Sequence, residues 1–484
     1  MIALLAALML QCPDGSPPPC GAASRVQRPP SANSVAVLYF ENQAHDTADA
    51  LLADGLTEEL ITRLSQVQRL EVKSRYESRR VRGSDEDPRS LGRSLHAAYI
   101  VSGSLQQAGN RVRLNVALVR AATGAQVWGD VYDRVGGDAL DIQSQVAREV
   151  AGAITGRLLP EERATLERRP TRDPLAYDLY LRGLAAANTT TESGTRAAIA
   201  LFDQAIARDS TFADAWAQRA WAWVWLADGY VVARDAYGRA RESAGRALQL
   251  DSSRALAYAV LGIAAQALDL DHATALAQAR RAVAASSRDP TSLSALAEAY
   301  EFDRQFAAGL REHRSAFQQD TLSTATAWIY LSFLDRLDMT DSMAQVLPHT
   351  RGALSDDDVR HWEGVLAFKR GDATGAAARL SWRYYGGVFA GDYVSALLMS
   401  GHRDAALAVR DSIIDYAGHN YFNSLSIAAV YTALGDADNA FAMLDRAYEQ
   451  RTVWLCDVAN YMVFRPLRSD PRYAVFMRRL GYAQ

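Results

Sequence analysis

The chain has 484 residues, 49% hydrophobic and 22% charged, with a formal net charge of -4. This is the composition of an ordinary soluble globular protein, long enough for two to four domains. The slight acidity argues against a dedicated nucleic-acid binder, which needs a concentrated basic face. Cys12, Cys20 and Cys456 give neither a disulfide framework nor a CxxC zinc pattern.

Residues 1–11 hold a short apolar run, Ile2 to Leu10, too short to span a bilayer unaided. It has the length of a signal-peptide core, but no Lys or Arg precedes it. Cys12 behind it suggests a lipoprotein signal, although Met9, Leu10 and Gln11 are larger than such a cleavage site prefers. The tail of a longer membrane helix is the third reading. Each predicts export or membrane anchoring, with membrane association through residues 2–10. Residues 12–33 form a Pro-rich linker, with six of the 14 prolines between Pro13 and Pro30.

Residues 34–159 predict an α+β domain. SVAVLYF (34–40) and RLEVKSR (69–75) read as strands. Leu52, Leu56, Leu60, Ile61 and Leu64 give a helical stripe, and Pro88 opens a second helix. Three strand-like runs from Ala98 to Arg134 are separated by Ala-Gly-Asn and Ala-Thr-Gly turns. The middle run alternates Val112, Leu114, Val116 and Leu118 with Arg111, Arg113 and Asn115. A helix over Asp138 to Leu158 closes the order β-α-β-α-β-β-β-α, a sheet with helices on one face. These stretches, in this order, resemble the TolB-N-terminal-like domain. In multidomain bacterial signalling proteins that domain often links a kinase, adenylate cyclase or winged-helix effector to tetratricopeptide repeats. Only the apolar run and linker precede Ser34 here, so the resemblance carries over no catalytic or DNA-binding role.

Residues 160–174 read as a charged hinge that few contacts should cross. From Leu175 the pattern is helical. Ala428, Tyr431, Gly435, Ala440, Leu444 and Ala447 describe two amphipathic helices joined at Gly435-Asp436. Gly401 lies 34 residues before Gly435. The stretch resembles the tetratricopeptide repeat, whose period that is. An Ala-then-Asp pattern recurs at Ala205, Ala247 and Ala316, each followed four residues later by Asp209, Asp251 and Asp320, and Gly371 marks another turn. About eight units are expected over 175–450, as an α-solenoid. Residues 451–484 read as a C-terminal cap, with Phe464, Leu467, Tyr473, Phe476 and Leu480 covering the last repeat.

No catalytic constellation is visible. The eight histidines are dispersed, and no HExxH, GxSxG, Walker or Rossmann pattern occurs. Asp356, Asp357 and Asp358 behind Ser355 read as a helix cap rather than a metal cluster. Arg75 to Arg93 reads as a solvated face, because acidic residues interleave with the arginines. Eight of the nine tryptophans lie beyond Leu175, four of them within Trp216 to Trp225. On the repeat pattern Trp216 and Trp223 fall at core positions. Trp221 and Trp225, with Asp214 and Ala217, fall where first helices of this family line the concave groove. Two readings stay open: four plain core residues, or a peptide-binding surface.

The resemblances therefore imply a multidomain, non-catalytic interaction or scaffold protein of bacterial envelope-associated signalling. It would bind a protein or peptide partner in the repeat groove, without cofactor and without direct contact to nucleic acid. The alternatives are the sensory or regulatory half of a kinase or adenylate cyclase, or a cytoplasmic regulator acting with a DNA-binding partner.

Overall fold

The structure is a computed structural model describing residues 30–482, except 44–46, 109–110, 136–138, 190, 228, 288, 322 and 384–388. The apolar run and most of the Pro-rich linker lie outside the described residues.

Strands β1 (Ser34–Val37), β2 (Glu41–Asn42), β3 (Glu71–Val72), β4 (Tyr99–Ala108), β5 (Arg111–Arg120) and β6 (Ala125–Val135) form one mixed sheet. Its order is β3-β1-β4-β5-β6, with β2 also on β4. β1 runs parallel to β3 and β4, while β4, β5 and β6 make an antiparallel meander. The period-two alternation of β5 is realised: Val112, Leu114, Val116 and Leu118 are buried and Arg111 and Arg113 exposed. Helices α1 (Thr47–Ser65) and α4 (Ala139–Thr155) cover that apolar face.

The expectation of helices on one face needs correction. Ala36 and Ile100 point opposite to Val35, Val37 and Val101, and pack on Leu91 and Leu95 from α3 (Pro88–Ser94) and its end. Strands apolar on both sides need a second covering layer, and α3 supplies it over β1 and β4. A further short helix, α2 (Arg75–Arg80), starts at a capping box made by Ser74 and Glu77.

The hinge at 160–174 is corrected as well. Pro160–Glu167 forms helix α5, in which Leu166 is buried in the main core. Arg69 grips its Glu162, Nε to Oε1 at 2.8 Å. Arg63 donates to the carbonyls of Leu166 and Arg168 at 3.3 and 3.4 Å. Glu167 is paired as well, with Arg148 at 2.9 Å, so two of the carboxylates that suggested a solvated linker are held by arginines outside it.

Among the described residues eight helix pairs follow. They are α6 (Pro174–Ala187) with α7 (Glu192–Arg208), α8 (Ala213–Leu226) with α9 (Ala233–Leu250), and α10 (Ala255–Ala264) with α11 (His272–Ala285). Then come α12 (Pro290–Phe302) with α13 (Phe306–Gln319), α14 (Thr324–Arg336) with α15 (Thr340–Thr350), and α16 (Asp356–Lys369) with α17 (Ala373–Ala377). The last are α18 (Ala390–Met399) with α19 (Arg403–His419), and α20 (Ser424–Leu434) with α21 (Ala437–Gln450). The Ala-then-Asp pattern is a helix ending. The amides of Asp209, Asp251 and Asp320 donate to the carbonyls of buried Ala205, Ala247 and Ala316 at 2.9, 2.8 and 3.2 Å. The last three pairs turn at Gly371, Gly401 and Gly435, all left-handed, with φ of 79°, 83° and 81°. The third to fifth pairs use the same turn with Leu270, Arg304 and Asp338, at φ of 55°, 58° and 57°.

The tail is more than a cap on the last pair. Leu455, Val458, Phe464, Leu467, Phe476 and Leu480 do cover α20 and α21. The tail then continues back along the array. Arg465 reaches Asp338 at 3.0 Å, and Tyr482 lies 5.8 Å from the Arg304 guanidinium and 5.4 Å from the His272 ring. Leu270 packs on the same tail cluster. The three non-glycine turn residues are thus the ones the tail touches.

Candidate partner-binding face

Helix α8 carries the expected groove residues. Asp214 forms an ion pair with Arg254, and Ala217 is buried. Neither is a free groove surface. Trp216, Trp221, Trp223 and Trp225 are all half-buried. Trp216, Trp221 and Trp223 lie against a cluster containing Ala217, Ala220, Ala240 and Ala244. The Trp216 indole donates to the Ser210 carbonyl at 3.0 Å, and Arg239 stacks 4.9 Å over Trp223. The expected division into core and groove tryptophans is therefore absent. Alanine-lined helices approach too closely to admit an indole, so the rings lie across the helix edges.

The sheet domain packs on the first helix pairs. Gly55 of α1 lies so close to α6 that an added Cβ would stand 2.3 Å from the Leu181 carbonyl oxygen. Arg63 and Glu59 form a buried pair at 3.0 Å. Burial raises the Glu59 carboxyl above its usual range, while Arg63 opposes the shift and Asp214 adds to it. Tyr177 of α6 donates to Gln143 of α4, whose amide donates to the Leu56 carbonyl at 3.0 Å. Ser74 reaches Asp320 at the end of the fourth pair, at 3.0 Å. One core runs from Val35 through Leu166 to Ala215. The basic stretch is tied down too: Arg82 pairs with Asp54 at 2.8 Å, and Arg75 and Arg79 face Glu58.

The tail packs on the last helix pairs. Arg336 meets Glu301 through Nε and Nη2, both at 2.7 Å, and stacks 4.9 Å over Trp454. Lys369 bridges Asp335 and Asp338 at 3.0 and 3.2 Å. Burial pushes the Asp335 carboxyl up, against the pull of Lys369. Tyr461 donates to Asp392 at 2.5 Å, yet burial and then the nearby Asp335 charge push the Asp392 carboxyl up to about 7.

The histidines that reach the core are not poised for chemistry. His313 sits 4.6 Å from Phe333 and His361 4.4 Å from Phe389, ring to ring. Burial pushes both imidazoles down to about 3, so they are neutral near pH 7. Among the described residues no group of three or more His, Cys, Asp or Glu is placed to hold a metal. The three aspartates open α16 as a cap, Ser355 and Asp358 exchanging bonds at 2.9 and 3.1 Å.

Residues 31–140 match the second domain of the HilA/YgeH-like transcriptional regulator family. A Rhizobium meliloti protein named for a candidate adenylate cyclase activity, adenylate cyclase 3, is 37% identical over 169 residues. That alignment covers 35% of this chain and 29% of the relative. The array is similar to a tetratricopeptide repeat protein from Parabacteroides merdae, with 12% identity and a TM-score of 0.34 over 56% of this chain and 99% of that one. A thermophilic TPR protein of Thermus thermophilus matches with 19% identity and a TM-score of 0.28 over 40% of this chain and 94% of that one. The chain is a mixed-sheet domain, matched by that family model over residues 31–140, followed among the described residues by eight helix pairs.

Proposed function

We propose that this chain is a non-catalytic regulatory module of bacterial signalling. In this reading the repeats receive a protein partner, and the sheet domain passes the state of the array to an effector, a nucleotide cyclase or a DNA-binding regulator. The observation that carries it is the common core of the two parts. Because α1 is wedged against α6 through Gly55, a shift of the first helix pairs displaces the sheet with them. The family match at 31–140 and the cyclase relative supply the class of effector. They favour it over a free-standing scaffold.

The effector surface in this reading is the free edge β6, where Val127 and Val131 are 40% and 51% exposed. An eleven-residue edge strand offers unpaired backbone donors and acceptors to a partner strand. Membrane attachment through residues 2–10 belongs to the same proposal. Among the described residues no helix is long and apolar enough to cross a membrane, and 2–10 lie outside them.

Cross-linking in the native host followed by mass spectrometry tests the effector. A cyclase or DNA-binding protein joined near β6, and lost in Val131→Lys, is the expected result. Partners retained unchanged in Val131→Lys would remove that surface, and cyclic nucleotide made by the purified chain would overturn the non-catalytic reading. Fractionating cells that express the full chain and one starting at Ser34 tests attachment, with only the full chain expected in the envelope.

A further inference from the structure

We propose that the open cleft where the sheet domain joins the array binds a small organic phosphate, its phosphate group held by Arg172 and Arg208. The site is separate from the effector surface proposed above. The segment between α5 and α6 forms one wall, and the end of α7 with the turn after it forms the other. The volume between them is about 890 Å³, inside the roughly 300–1,000 Å³ of small-molecule sites.

Three arginines, Arg169, Arg172 and Arg208, line it against two aspartates, Asp173 and Asp209. Both carboxylates are already used by the chain. Asp173 accepts from the amides of Leu175 and Ala176, both at 2.9 Å, and pairs with Arg208 through Nε at 3.1 Å and Nη2 at 3.0 Å. Asp209 accepts from the Thr171 hydroxyl at 2.5 Å, and from the Thr211 amide and hydroxyl at 2.9 and 2.6 Å. The Arg208 bond, then the Ala176 amide, hold the Asp173 carboxyl below its usual range. Burial opposes the same shift at Asp209, and the threonine bonds outweigh it. Neither aspartate therefore calls for a cation from outside, and Asp173 already takes the amides that open α6.

The arginines are not used up in the same way. Arg172 is exposed and has no hydrogen bond or ion pair among the described residues. Arg208 meets Asp173 through Nε and Nη2, which leaves Nη1 without a partner among them. Side-chain donors therefore exceed acceptors around the cleft, which suits an anion. Two guanidinium groups on one cleft match a phosphate monoester, which brings about two negative charges and three acceptor oxygens. A carboxylate, with one charge, is satisfied by a single guanidinium fork. The rim adds a second selection. Leu175 is 55% exposed and lines the cleft with Pro170 and Pro174. These apolar side chains have nothing to offer a bare phosphate, but they can cover the carbon part of an ester.

The test uses the full chain and adenosine monophosphate, with adenosine, inorganic phosphate and acetate as controls. Binding is followed by calorimetry at about pH 7.5, where the phosphate carries its second charge. The monophosphate should bind, and adenosine and acetate should not. Inorganic phosphate should bind roughly threefold more weakly than the monophosphate, because it leaves Leu175 uncovered. Arg172→Gln removes only an exposed, unpartnered guanidinium and should weaken the monophosphate about tenfold or more. Arg172→Lys keeps a point charge without the fork, so its affinity should lie between the two. Leu175→Ala should bring the monophosphate down to the level of inorganic phosphate and leave inorganic phosphate unchanged. The proposal is overturned by adenosine or acetate binding as tightly as the monophosphate, or by inorganic phosphate matching it in the original chain. It is overturned equally by Arg172→Gln binding the monophosphate unchanged, or by no saturable binding of the monophosphate to the folded chain.

Discussion

Alanine fills the helix interfaces of the second and third pairs: Ala217, Ala220, Ala240, Ala244, Ala247 and Ala257 form their shared core. The fifth and sixth pairs are filled instead by Trp328, Tyr330, Phe333, Met343, Leu347 and Trp362, with Phe389 of the next pair. The first solution lets helices approach closely, and Trp216, Trp221 and Trp223 are only partly buried beside it. The second holds helices apart around rings, and between the rings it buries Glu301, Arg336, Asp335 and Lys369. Each half is completed by a different outsider: the sheet domain closes the first and the tail closes the last. An alanine interface tolerates little change in spacing, whereas an aromatic one depends on its buried charges staying paired.

The largest effect should come from unpairing a charge in the aromatic half. Glu301→Ala leaves Arg336 buried without its carboxylate and should cost roughly 3–5 kcal/mol. The double change Glu301→Met with Arg336→Met should recover most of that loss, because an apolar pair of similar volume replaces the ions. Denaturation in urea measures both. A small loss in Glu301→Ala alone would show that the pair is not closed to water.

The next effect depends on pH. The Asp392 carboxyl lies at about 7 in the folded chain, above its ordinary value of 3.8. Between those two values the folded state keeps a proton that the unfolded chain releases. Stability from this group is therefore complete below the unfolded value and is lost as pH rises to 7. Asp392→Asn stays neutral and still accepts from Tyr461, so it should stabilise the protein above pH 7, on the order of 2–4 kcal/mol, and leave it nearly unchanged near pH 4. A stability profile of the variant parallel to that of the original chain would place the titration elsewhere.

Where the sheet domain meets the first pair the sensitive quantity is distance. Gly55→Ala puts a methyl group 2.3 Å from the Leu181 carbonyl oxygen, on backbone that cannot swing aside. Overpacking of this kind costs about 1–3 kcal/mol. Amides of α6 and α1 should exchange faster together, since the two helices share one core. Faster exchange in α1 alone would mean that the sheet domain and array are less tightly joined.

The regular parts of this molecule were legible because their signals are local. Alternation in β5 and the glycine turns at 371, 401 and 435 each depend on residues within one element. The docking of the two parts was not: Gly55 and Leu181 are far apart in sequence, and nothing in α1 marks that glycine as a contact. Glu162 and Glu167 read as solvated because their partners, Arg69 and Arg148, lie outside the segment. Repeat position indicates a face but not what already covers it, as the buried Ala217 and the ion-paired Asp214 illustrate. The cleft was invisible because Arg172 comes from the segment before α6, whereas Arg208 comes from the end of α7.

The smallest effect concerns the turns. Leu270, Arg304 and Asp338 stand 34 residues apart in left-handed backbone, where the last three pairs use glycine. A side chain in that conformation costs roughly 1–2 kcal/mol, which replacement by glycine should return in part. Arg304 also faces Tyr482 and Phe306 at 5.8 and 5.7 Å, contacts worth about 0.5–1 kcal/mol at an exposed site. The two terms oppose each other, so Arg304→Gly should change overall stability by less than about 1 kcal/mol. Gly435→Ala has no compensating contact, since nothing lies within 4 Å of an added Cβ, and should cost about 1 kcal/mol. The distinguishing readout is the tail. Proteolysis at 471–482 should quicken in Arg304→Gly and stay unchanged in Gly435→Ala. Equal protection in both would mean that the tail is held by the last pair alone, and that the turn side chains of the third to fifth pairs carry their backbone cost for some other contact.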